Sequence, residues 1–491
     1  MDLLSAYFLP VLPVLYGGAG NLAAYLAAHV LLCLLPAFFI AGAMTALIPK
    51  ETITRFLGRN TPKTTAYPAA AAAASLLAVC SCTIVPLFAG IYKKGAGIGP
   101  AVTFLFFAPA ANILAIVYTG SIIGADLAAA RLILSLIFGI SIGLIMALLF
   151  RADDAAHDNA TDTLFAAQRA QGMHRAVLVF LFTWVALLLL GTLKITILTG
   201  SHAQFDLPSS GMHAWQAMLD RLVPHDAAKG EEGVSPQGAM LIALLAAIGL
   251  TAWRGLENIQ NGITAWTRAC LALIAATLLF AALSMETTPQ GLHIGFTGKF
   301  FGIALALGVI HHLARHRLSE EEVRDWLWES WRFAKQIFPL LMIGVFIVGM
   351  IRVVIRPEWI EMVAGANSIS GNLAGVAFGV FMYFPTLVEV PIARMFLDLG
   401  MHRGPLLAYL MSDPELSLQS ILIIAAVIGK TKTWAYVGLV ALFSAAAGLT
   451  YGAWIDGTPL VILALWLAGF AALLAVLLNA ATRHSKPLKT T

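Results

Sequence analysis

The chain of 491 residues is 59% hydrophobic and only 11% charged, with a formal net charge of +4 and a mean hydropathy of +0.85. A soluble domain of average composition is about 25% charged, so these values exclude an ordinary soluble protein. A net charge this small over such a length also argues against a nucleic-acid partner. We therefore predict an all-α polytopic membrane protein that contacts the lipid bilayer.

Apolar stretches long enough to cross a membrane follow one another along the chain. A membrane-spanning helix needs roughly 20 apolar residues, and on that basis we predict about 12 to 14 spans. They lie near 22–48, 66–92, 98–120, 127–150, 175–199, 236–253, 264–285, 295–314, 333–355, 372–397, 404–428, 433–454 and 458–481.

The middle of the chain is more polar than the rest. Polar stretches occupy 151–174 and 201–234, and the second contains three histidines, His202, His213 and His225. No tight ligand spacing appears, so a solvated loop is preferred over a zinc or copper site. The charged and Trp-rich segment 315–335 predicts an amphipathic helix that lies at the membrane interface before a span.

Several glycines and prolines recur along the chain at one constant spacing. Five residues of the first half have a counterpart 305 positions later (391 − 86 = 305). The pairs are Pro86 and Pro391, Gly95 and Gly400, Gly99 and Gly404, Pro100 and Pro405, and Pro109 and Pro414. We predict four domains: a first repeat bundle at 1–150, inserted spans, loops and the interfacial helix at 151–332, a second bundle at 333–456, and a terminal span and tail at 457–491.

The repeated prolines lie in apolar sequence, where proline removes a helical hydrogen bond. Backbone groups freed in this way are tolerated in a membrane only in protein or beside a water-filled cavity. Interrupted segments at corresponding positions of two halves indicate a transport site. We therefore predict that broken helices of the two bundles meet at a central site, with the relative orientation of the bundles left open.

The first copy carries a pair of thiols. Cys80 and Cys82 flank Ser81, with Thr83 and Pro86 close behind. Thiolates are soft ligands that prefer thiophilic ions, and the hydroxyls add hydrogen-bonding capacity. Residues two apart on a helix point about 200° from one another, so both thiols face one cavity only if the helix unwinds near Pro86. The alternative is that small residues merely fill a helix crossing.

The second copy replaces sulfur by carboxyl groups. Glu389 aligns with Ile84, and Asp413 and Glu415 align with alanines on either side of the repeated proline. Ionisable groups within spans normally face a cavity or a partner, so we predict that these three acids couple transport to protons. Alternatives are an ion pair for Glu389 and helix capping for Asp413, with Arg394 as a candidate partner of Glu389 or Asp398. The predicted cargo-binding residues are Cys80, Ser81, Cys82, Thr83, Pro86, Pro109, Asn112, Glu389, Pro391, Asp413, Pro414 and Ser417, with Cys80 and Cys82 as ligands of a thiophilic cargo.

These motifs resemble a known family. The run from Cys80 to Leu87, the stretches at 99–101 and 108–112, and the second-half stretches at 389–391 and 404–406 are similar to the ArsP-type predicted permeases (the DUF318, YraQ-like group). The resemblance covers both bundles and implies a multi-pass permease of the bacterial inner membrane. Some members of that family export trivalent organoarsenicals such as methylarsenite, a role that would fall to Cys80 and Cys82. The longer connection between the bundles departs from the usual pattern.

The predicted function is a secondary-active exporter of a small thiophilic solute, with no enzymatic activity and no cofactor. The chain has no phosphate loop of the type G-x-x-x-x-G-K-[ST], which argues against ATP hydrolysis. A membrane thiol–disulfide redox protein is an alternative, and so is a channel or the membrane subunit of a larger complex. An oligomer is compatible with all three.

Overall fold

The computed structural model describes all residues except 1, 29, 49, 77–80, 112, 158–174, 194–195, 209–210, 224–232, 289–290, 355–357, 382–385, 460, 471 and 473–491. The described residues are mostly helical, which confirms the predicted class of all-α polytopic membrane protein. The helices of the first part are α1 (Asp2–Ala28), α2 (Leu35–Leu47), α3 (Lys50–Leu57), α4 (Lys63–Leu76), α5 (Ser81–Lys93), α6 (Ile98–Ala110), α7 (Ile113–Ile122) and α8 (Ala125–Leu149). A π-helical segment, Val30–Leu34, leads into α2.

The middle section combines helices with a small sheet. Its elements are α9 (Arg175–Thr192), a helical turn (Thr196–Thr199), β1 (Ser201–Pro208), α10 (Met212–Leu222), α11 (Pro236–Gly255), a 3₁₀ turn (Ile259–Asn261), α12 (Ala265–Ala281), β2 (Leu283–Thr288), β3 (Gly291–Thr297), α13 (Gly298–His316) and α14 (Glu320–Val354). The sheet is antiparallel with the order β1-β3-β2. The prediction of a solvated loop over 201–234 was therefore wrong for β1 and α10. The hydrogen-bonding partner of β1 lies far along the chain, where local sequence cannot reveal it.

The last part contains α15 (Glu358–Ala364), α16 (Ile369–Phe381), α17 (Thr386–Asp398), α18 (Arg403–Leu416), α19 (Leu418–Ile428), α20 (Lys430–Ile455) and α21 (Val461–Phe470). Most of these helices begin or end within a few residues of a proline or glycine. Gly400 and Gly429 have φ values of 89° and 86°, a left-handed conformation that only glycine adopts without strain. These two glycines separate α17 from α18 and α19 from α20.

The charged segment before α14 is not a separate interfacial helix. Residues 320–354 form one continuous helix that contains Pro339 in its interior. Trp326, which was expected at an interface, is almost fully buried, and its indole nitrogen donates a hydrogen bond to the Phe39 carbonyl at 3.0 Å. The predicted boundary was wrong because the segment lacks glycine or proline that would end a helix ahead of the apolar part.

Seven described helical stretches are long and apolar enough to cross a membrane: Val30–Leu47, Ile98–Ile122, Ala125–Leu149, Arg175–Thr192, Pro236–Gly255, Glu320–Ile351 and Lys430–Ile455. An eighth candidate is the bent pair formed by α18 and α19, whose axes differ by 46°. Shorter apolar helices cover Ile84–Lys93, Ala265–Ala281, Ile369–Phe381 and Val461–Phe470. The predicted 12 to 14 spans count such shorter helices as well.

The chain forms two compact units, each assembled from separate pieces of sequence. Unit 1 contains Met1–Thr52, Leu77–Lys94 and Ala167–Val354, and unit 2 contains Ile53–Leu76, Gly95–Ala166 and Ile355–Thr491. The predicted domains 1–150, 151–332, 333–456 and 457–491 rest on a repeat in the sequence rather than on compactness, and they stay a prediction.

Unit 1 is organised around α2 and α14, which pack against each other and against α1, α5 and α9. Its core includes a group of packed aromatic rings. The rings of Phe39 and Trp184 are stacked, with centroids 4.7 Å apart, and those of Phe180 and Trp326 meet edge to face, with centroids 4.8 Å apart. Aromatic pairs at such distances add to the energy of apolar burial. These contacts join α2, α9 and α14 into one core.

Two helix crossings of unit 2 are held close by glycine. In the α6–α8 crossing, a Cβ atom built on Gly143 would lie 2.6 Å from the carbonyl oxygen of Gly99. In the α18–α20 crossing, a Cβ atom on Gly448 would lie 2.5 Å from the carbonyl oxygen of Gly404. Glycine thus lets both pairs of helix backbones approach closely, as is common in membrane bundles.

The element boundaries keep the 305-residue offset of the sequence. Helices α5, α6, α7 and α8 begin at 81, 98, 113 and 125, and α17, α18, α19 and α20 begin at 386, 403, 418 and 430 (386 − 81 = 305). The glycine crossings have the same offset, since Gly404 and Gly448 correspond to Gly99 and Gly143. Local conformation and helix packing therefore recur along with the glycines and prolines.

Candidate functional site

Two helix interruptions lie within unit 2. At the first, Ala111 leaves the helical conformation after α6, with φ −138° and ψ 33°. At the second, Ser417 is extended between α18 and α19, with φ −54° and ψ 140°. Pro109 and Pro414 lie just before these points, inside the last turns of α6 and α18. A proline cannot donate the usual helical hydrogen bond, so it weakens the last turn and favours an ending there.

Helices α6 and α18 are buried on all sides. Every residue of α6 is buried, and so is every residue of α18 from Gly404 to Leu416. This burial includes the polar side chains of Ser412, Asp413 and Glu415. Helices buried on all sides normally carry apolar residues, so these polar groups require partners inside the unit or a ligand.

Arg131 on α8 binds the first interruption. Its Nε atom donates a hydrogen bond to the carbonyl oxygen of Ala110 at 2.8 Å. Its Nη1 atom donates to the Thr119 hydroxyl at 3.2 Å. The remaining nitrogen, Nη2, lies 2.9 Å from Oε1 of Glu389, and both side chains are fully buried. The guanidinium group therefore connects the end of α6 with a carboxylate on α17.

Glu415 lies at the second interruption and accepts a hydrogen bond from the hydroxyl of Tyr436 at 2.8 Å. Its carboxyl group also interacts electrostatically with Glu389 and Arg131 and with the backbone of Ala110. We call Arg131, Glu389, Glu415 and Tyr436 the buried ion cluster. It contains two carboxyl groups and one guanidinium group.

Two contacts of the buried ion cluster lie 305 positions apart. Arg131 donates to the backbone carbonyl of Ala110, and 305 positions later Tyr436 donates to the side chain of Glu415 (436 − 131 = 305). In each case a side chain of the following long helix, α8 or α20, reaches the interruption at the end of α6 or α18. A cation therefore lies near one interruption and an acid at the other.

Two oxygens of the buried ion cluster lack a hydrogen-bond donor among the described residues: Oε2 of Glu389 and Oε1 of Glu415. Gln419 in the first turn of α19 is also fully buried, and neither atom of its amide has such a partner. Leaving buried polar atoms unpaired costs about 1–3 kcal/mol each. Sites with this cost are commonly binding sites for a ligand, an ion or water.

The predicted site residues are distributed as follows. Pro109, Glu389, Pro391, Asp413, Pro414, Glu415 and Ser417 belong to unit 2, whereas Pro86 belongs to unit 1. Pro391 is exposed, although Glu389 two residues earlier is fully buried. Asp413 lies two residues from Glu415 on α18, so its side chain leaves the helix in nearly the opposite direction. At that point the α18 backbone packs against Gly379 of α16.

The thiol motif lies largely outside the described residues. This applies to Cys80 and to the side chains of Ser81, Cys82 and Thr83, and Asn112 is likewise outside. Pro86 itself lies within α5. The unwinding that would let both thiols face one cavity concerns Cys80 and its neighbours and stays a prediction. Among the residues that the structure describes, no group of three or more His, Cys, Asp or Glu side chains is placed to hold a metal ion.

Arg131 was not among the predicted site residues, although a signal for it was present. It is the charged residue of an otherwise apolar predicted span, 127–150, four positions after the start of that span, and an ionisable group within a span indicates a functional site. Arg394, the suggested partner of Glu389 or Asp398, pairs with Asp398 at 3.1 Å on the exposed face of α17. The ion pair predicted for Glu389 exists, but with a residue from another helix.

An apolar cavity of about 370 Å³ lies within unit 1. Its walls come mainly from α2, α11 and α14 and include Phe38, Trp253 and Pro339. Lys335 contributes to the lining and pairs with Glu257 outside the lining, with an N···O distance of 2.6 Å. With no carboxyl group in its walls, this cavity lacks the acids that the predicted chemistry needs.

The combination of apolar spans, broken helices and a buried ion cluster is typical of membrane transport proteins. A family model described as a predicted permease matches residues 16–453. The UPF0718 protein MJ0584 of Methanocaldococcus jannaschii is 34% identical over 429 residues, which cover 87% of this chain and 93% of that relative. No solved structure matches the chain. The chain belongs to the ArsP-type predicted permease family, which confirms the resemblance found in the sequence and indicates a transporter rather than an enzyme.

Proposed function

We propose that the protein is a secondary-active permease whose cargo and coupling protons use the buried ion cluster of unit 2. The observation that carries this proposal is the fully buried Arg131–Glu389 pair beside a second buried acid at a helix interruption. Such charges are costly within a membrane and persist where transport requires them. The recurrence of helices at an offset of 305 supports an internal repeat of the type found in secondary transporters.

The proposed coupling group is Glu415. The guanidinium group of Arg131 neutralises the carboxylate of Glu389 by direct contact. Glu415 has a neutral phenol as its donor, and an ionised carboxylate in that position would be poorly compensated. Glu415 therefore holds a proton when the site is empty. During the transport cycle it takes up this proton from one side of the membrane and releases it on the other side. Glu389 and Asp413 remain candidates for the same role.

The proposed cargo is a small thiophilic solute, with a trivalent organoarsenical such as methylarsenite as the first to test. The support is membership of the family together with the thiol pair Cys80 and Cys82 in the sequence. Export across the bacterial inner membrane is the direction that the family resemblance implies. An oligomer is compatible with this function.

The test uses inside-out membrane vesicles with an imposed proton gradient and methylarsenite as the probe. In the wild type, a protonophore should abolish accumulation of the probe. The Glu415→Gln variant has a permanently uncharged side chain, so it should lose accumulation against a gradient but retain downhill exchange. Asp398→Asn is the matched control, because Asp398 forms an exposed ion pair on α17, and it should behave like the wild type.

Two results would contradict the proposal. Accumulation that is insensitive to the protonophore would exclude coupling to protons. Normal gradient-driven accumulation by Glu415→Gln would exclude Glu415 as the coupling group, and the same measurement on Glu389→Gln and Asp413→Asn would then decide between the remaining acids.

A further inference from the structure

Gln419 is a fully buried side chain that the proposed proton chemistry does not use. It is the second residue of α19, directly after the interruption at Ser417. Neither its amide nitrogen nor its amide oxygen has a hydrogen-bond partner among the described residues. An apolar residue of the same size would avoid the cost of burying this group, so the amide must have a use.

The surroundings of Gln419 suit the binding of oxygen atoms. The first N–H groups of a helix have no partner within the helix, and the helix dipole places partial positive charge at this end. Helix α19 has 11 residues, and its cap uses Ser417, whose hydroxyl accepts a hydrogen bond from the Ser420 N–H at 3.4 Å. Side chains on a helix lean toward its N-terminus, so a residue in the first turn is expected to present its side chain on the side of the interruption.

A second unpartnered group lies on the other side of the same interruption. Oε1 of Glu415, two residues before Ser417, has no hydrogen-bond donor among the residues that the structure describes. Its other oxygen is held by Tyr436, so the carboxyl group cannot turn freely to satisfy both. Among the described residues, the interruption is thus flanked by a carboxyl oxygen without a close donor, on a group that the Ala110 backbone approaches, and by an amide without a partner.

We infer that Gln419 and the N-terminal turn of α19 form the element that recognises oxygen atoms of the cargo. The amide has both a donor and an acceptor, and a hydroxyl group is the partner that satisfies both. The cargo class is therefore an uncharged solute that bears hydroxyl groups. An anionic cargo is disfavoured because Arg131, the cation of the buried ion cluster, is already paired with Glu389. This inference rests on the proposed function, because it assigns a role within the same site.

The decisive variants are Gln419→Leu and Gln419→Met, which keep the size of the side chain but remove its hydrogen bonds. Loss of hydrogen bonds to the cargo should raise the KM for methylarsenite about tenfold, while the maximal rate stays within about twofold of the wild type. Both variants also remove an unsatisfied buried amide, so their melting temperatures should equal or exceed that of the wild type. Two variants are used because one of them alone could disturb the packing of α19.

Gln237→Leu is the matched control. The Gln237 amide nitrogen donates hydrogen bonds to the carbonyl oxygens of Phe280 and Leu283, both at 2.9 Å, so this glutamine is satisfied within the protein. Its replacement should lower the melting temperature and leave the KM unchanged. Gln419 and Gln237 should therefore show opposite patterns of stability and affinity.

The possible results separate this inference from the proposed function. Flux of methylarsenite in the wild type with an unchanged KM in both Gln419 variants would overturn the inference alone and would mean that ordered water satisfies the amide. A raised KM accompanied by a lowered melting temperature in both variants would also overturn it, because the residue would then be structural. Absence of gradient-driven flux in the wild type would overturn both proposals.

Discussion

Replacing Arg131 by methionine should destabilise the protein strongly. The guanidinium group makes three contacts, with the Ala110 carbonyl, the Thr119 hydroxyl and the Glu389 carboxylate, and both charged side chains are fully buried. Arg131→Met leaves Glu389 as a buried and uncompensated charge. Removal of one partner of such a pair typically costs about 3–5 kcal/mol, much more than the loss of one neutral hydrogen bond.

The double variant Arg131→Met with Glu389→Leu should recover part of that stability. It removes both charges together, and apolar replacement of a whole buried pair is often neutral. The Ala110 carbonyl still loses its donor, so we expect a remaining loss of about 1–3 kcal/mol and no transport of methylarsenite. A stable but inactive double variant would show that the ion pair serves function rather than folding.

The assay is equilibrium unfolding of the detergent-purified protein, followed by tryptophan fluorescence, in parallel with vesicle flux. The control is Arg394→Met, which breaks the exposed pair with Asp398. Exposed ion pairs contribute about 0–1 kcal/mol, so this control should unfold nearly like the wild type. A loss below 1 kcal/mol for Arg131→Met, or normal flux in the double variant, would refute the reasoning.

Two further predictions concern the helix crossings and the thiols. Gly448→Ala should lower the unfolding free energy by about 1–3 kcal/mol, because its Cβ would lie 2.5 Å from the Gly404 carbonyl oxygen. Gly438→Ala on the same helix has nothing within 4 Å of its Cβ and should be neutral or stabilising by up to about 1 kcal/mol, as equilibrium unfolding of both variants will show. The double variant Cys80→Ser with Cys82→Ser should lose resistance to methylarsenite in a sensitised bacterium at normal expression. Full resistance in that strain would reject the thiols as cargo ligands.

The sequence also singled out acids that the structure buries, because an ionisable group in an apolar span is energetically costly and therefore rare. Glu389 and Glu415 were predicted as coupling groups and both lie in the buried ion cluster. The partner of Glu389 was not predictable, since Arg131 lies on a different helix far away in the chain. Gln419 carries no charge and its amide resembles that of any surface glutamine in the sequence.

Class, helical content and many of the helix boundaries were determined by the sequence itself. The reason is local: apolar length sets a span, and a left-handed glycine such as Gly400 or Gly429 ends a helix. Proline alone is a weaker signal, since Pro86 and Pro339 lie inside helices. The 305-residue offset of the helix boundaries has the same local cause, because glycines and prolines at matching positions favour matching helix ends.

Only the tertiary structure decided which charges meet and which polar atoms remain unpaired. Whether Arg131 binds Glu389, and whether Gln419 is satisfied, depends on how helices pack across the interior. Packing is the sum of many long-range contacts, and no window of the chain contains both members of such a pair. The same holds for β1, whose partner strand β3 follows only after two intervening apolar helices, so that the sheet appears only when the chain is folded.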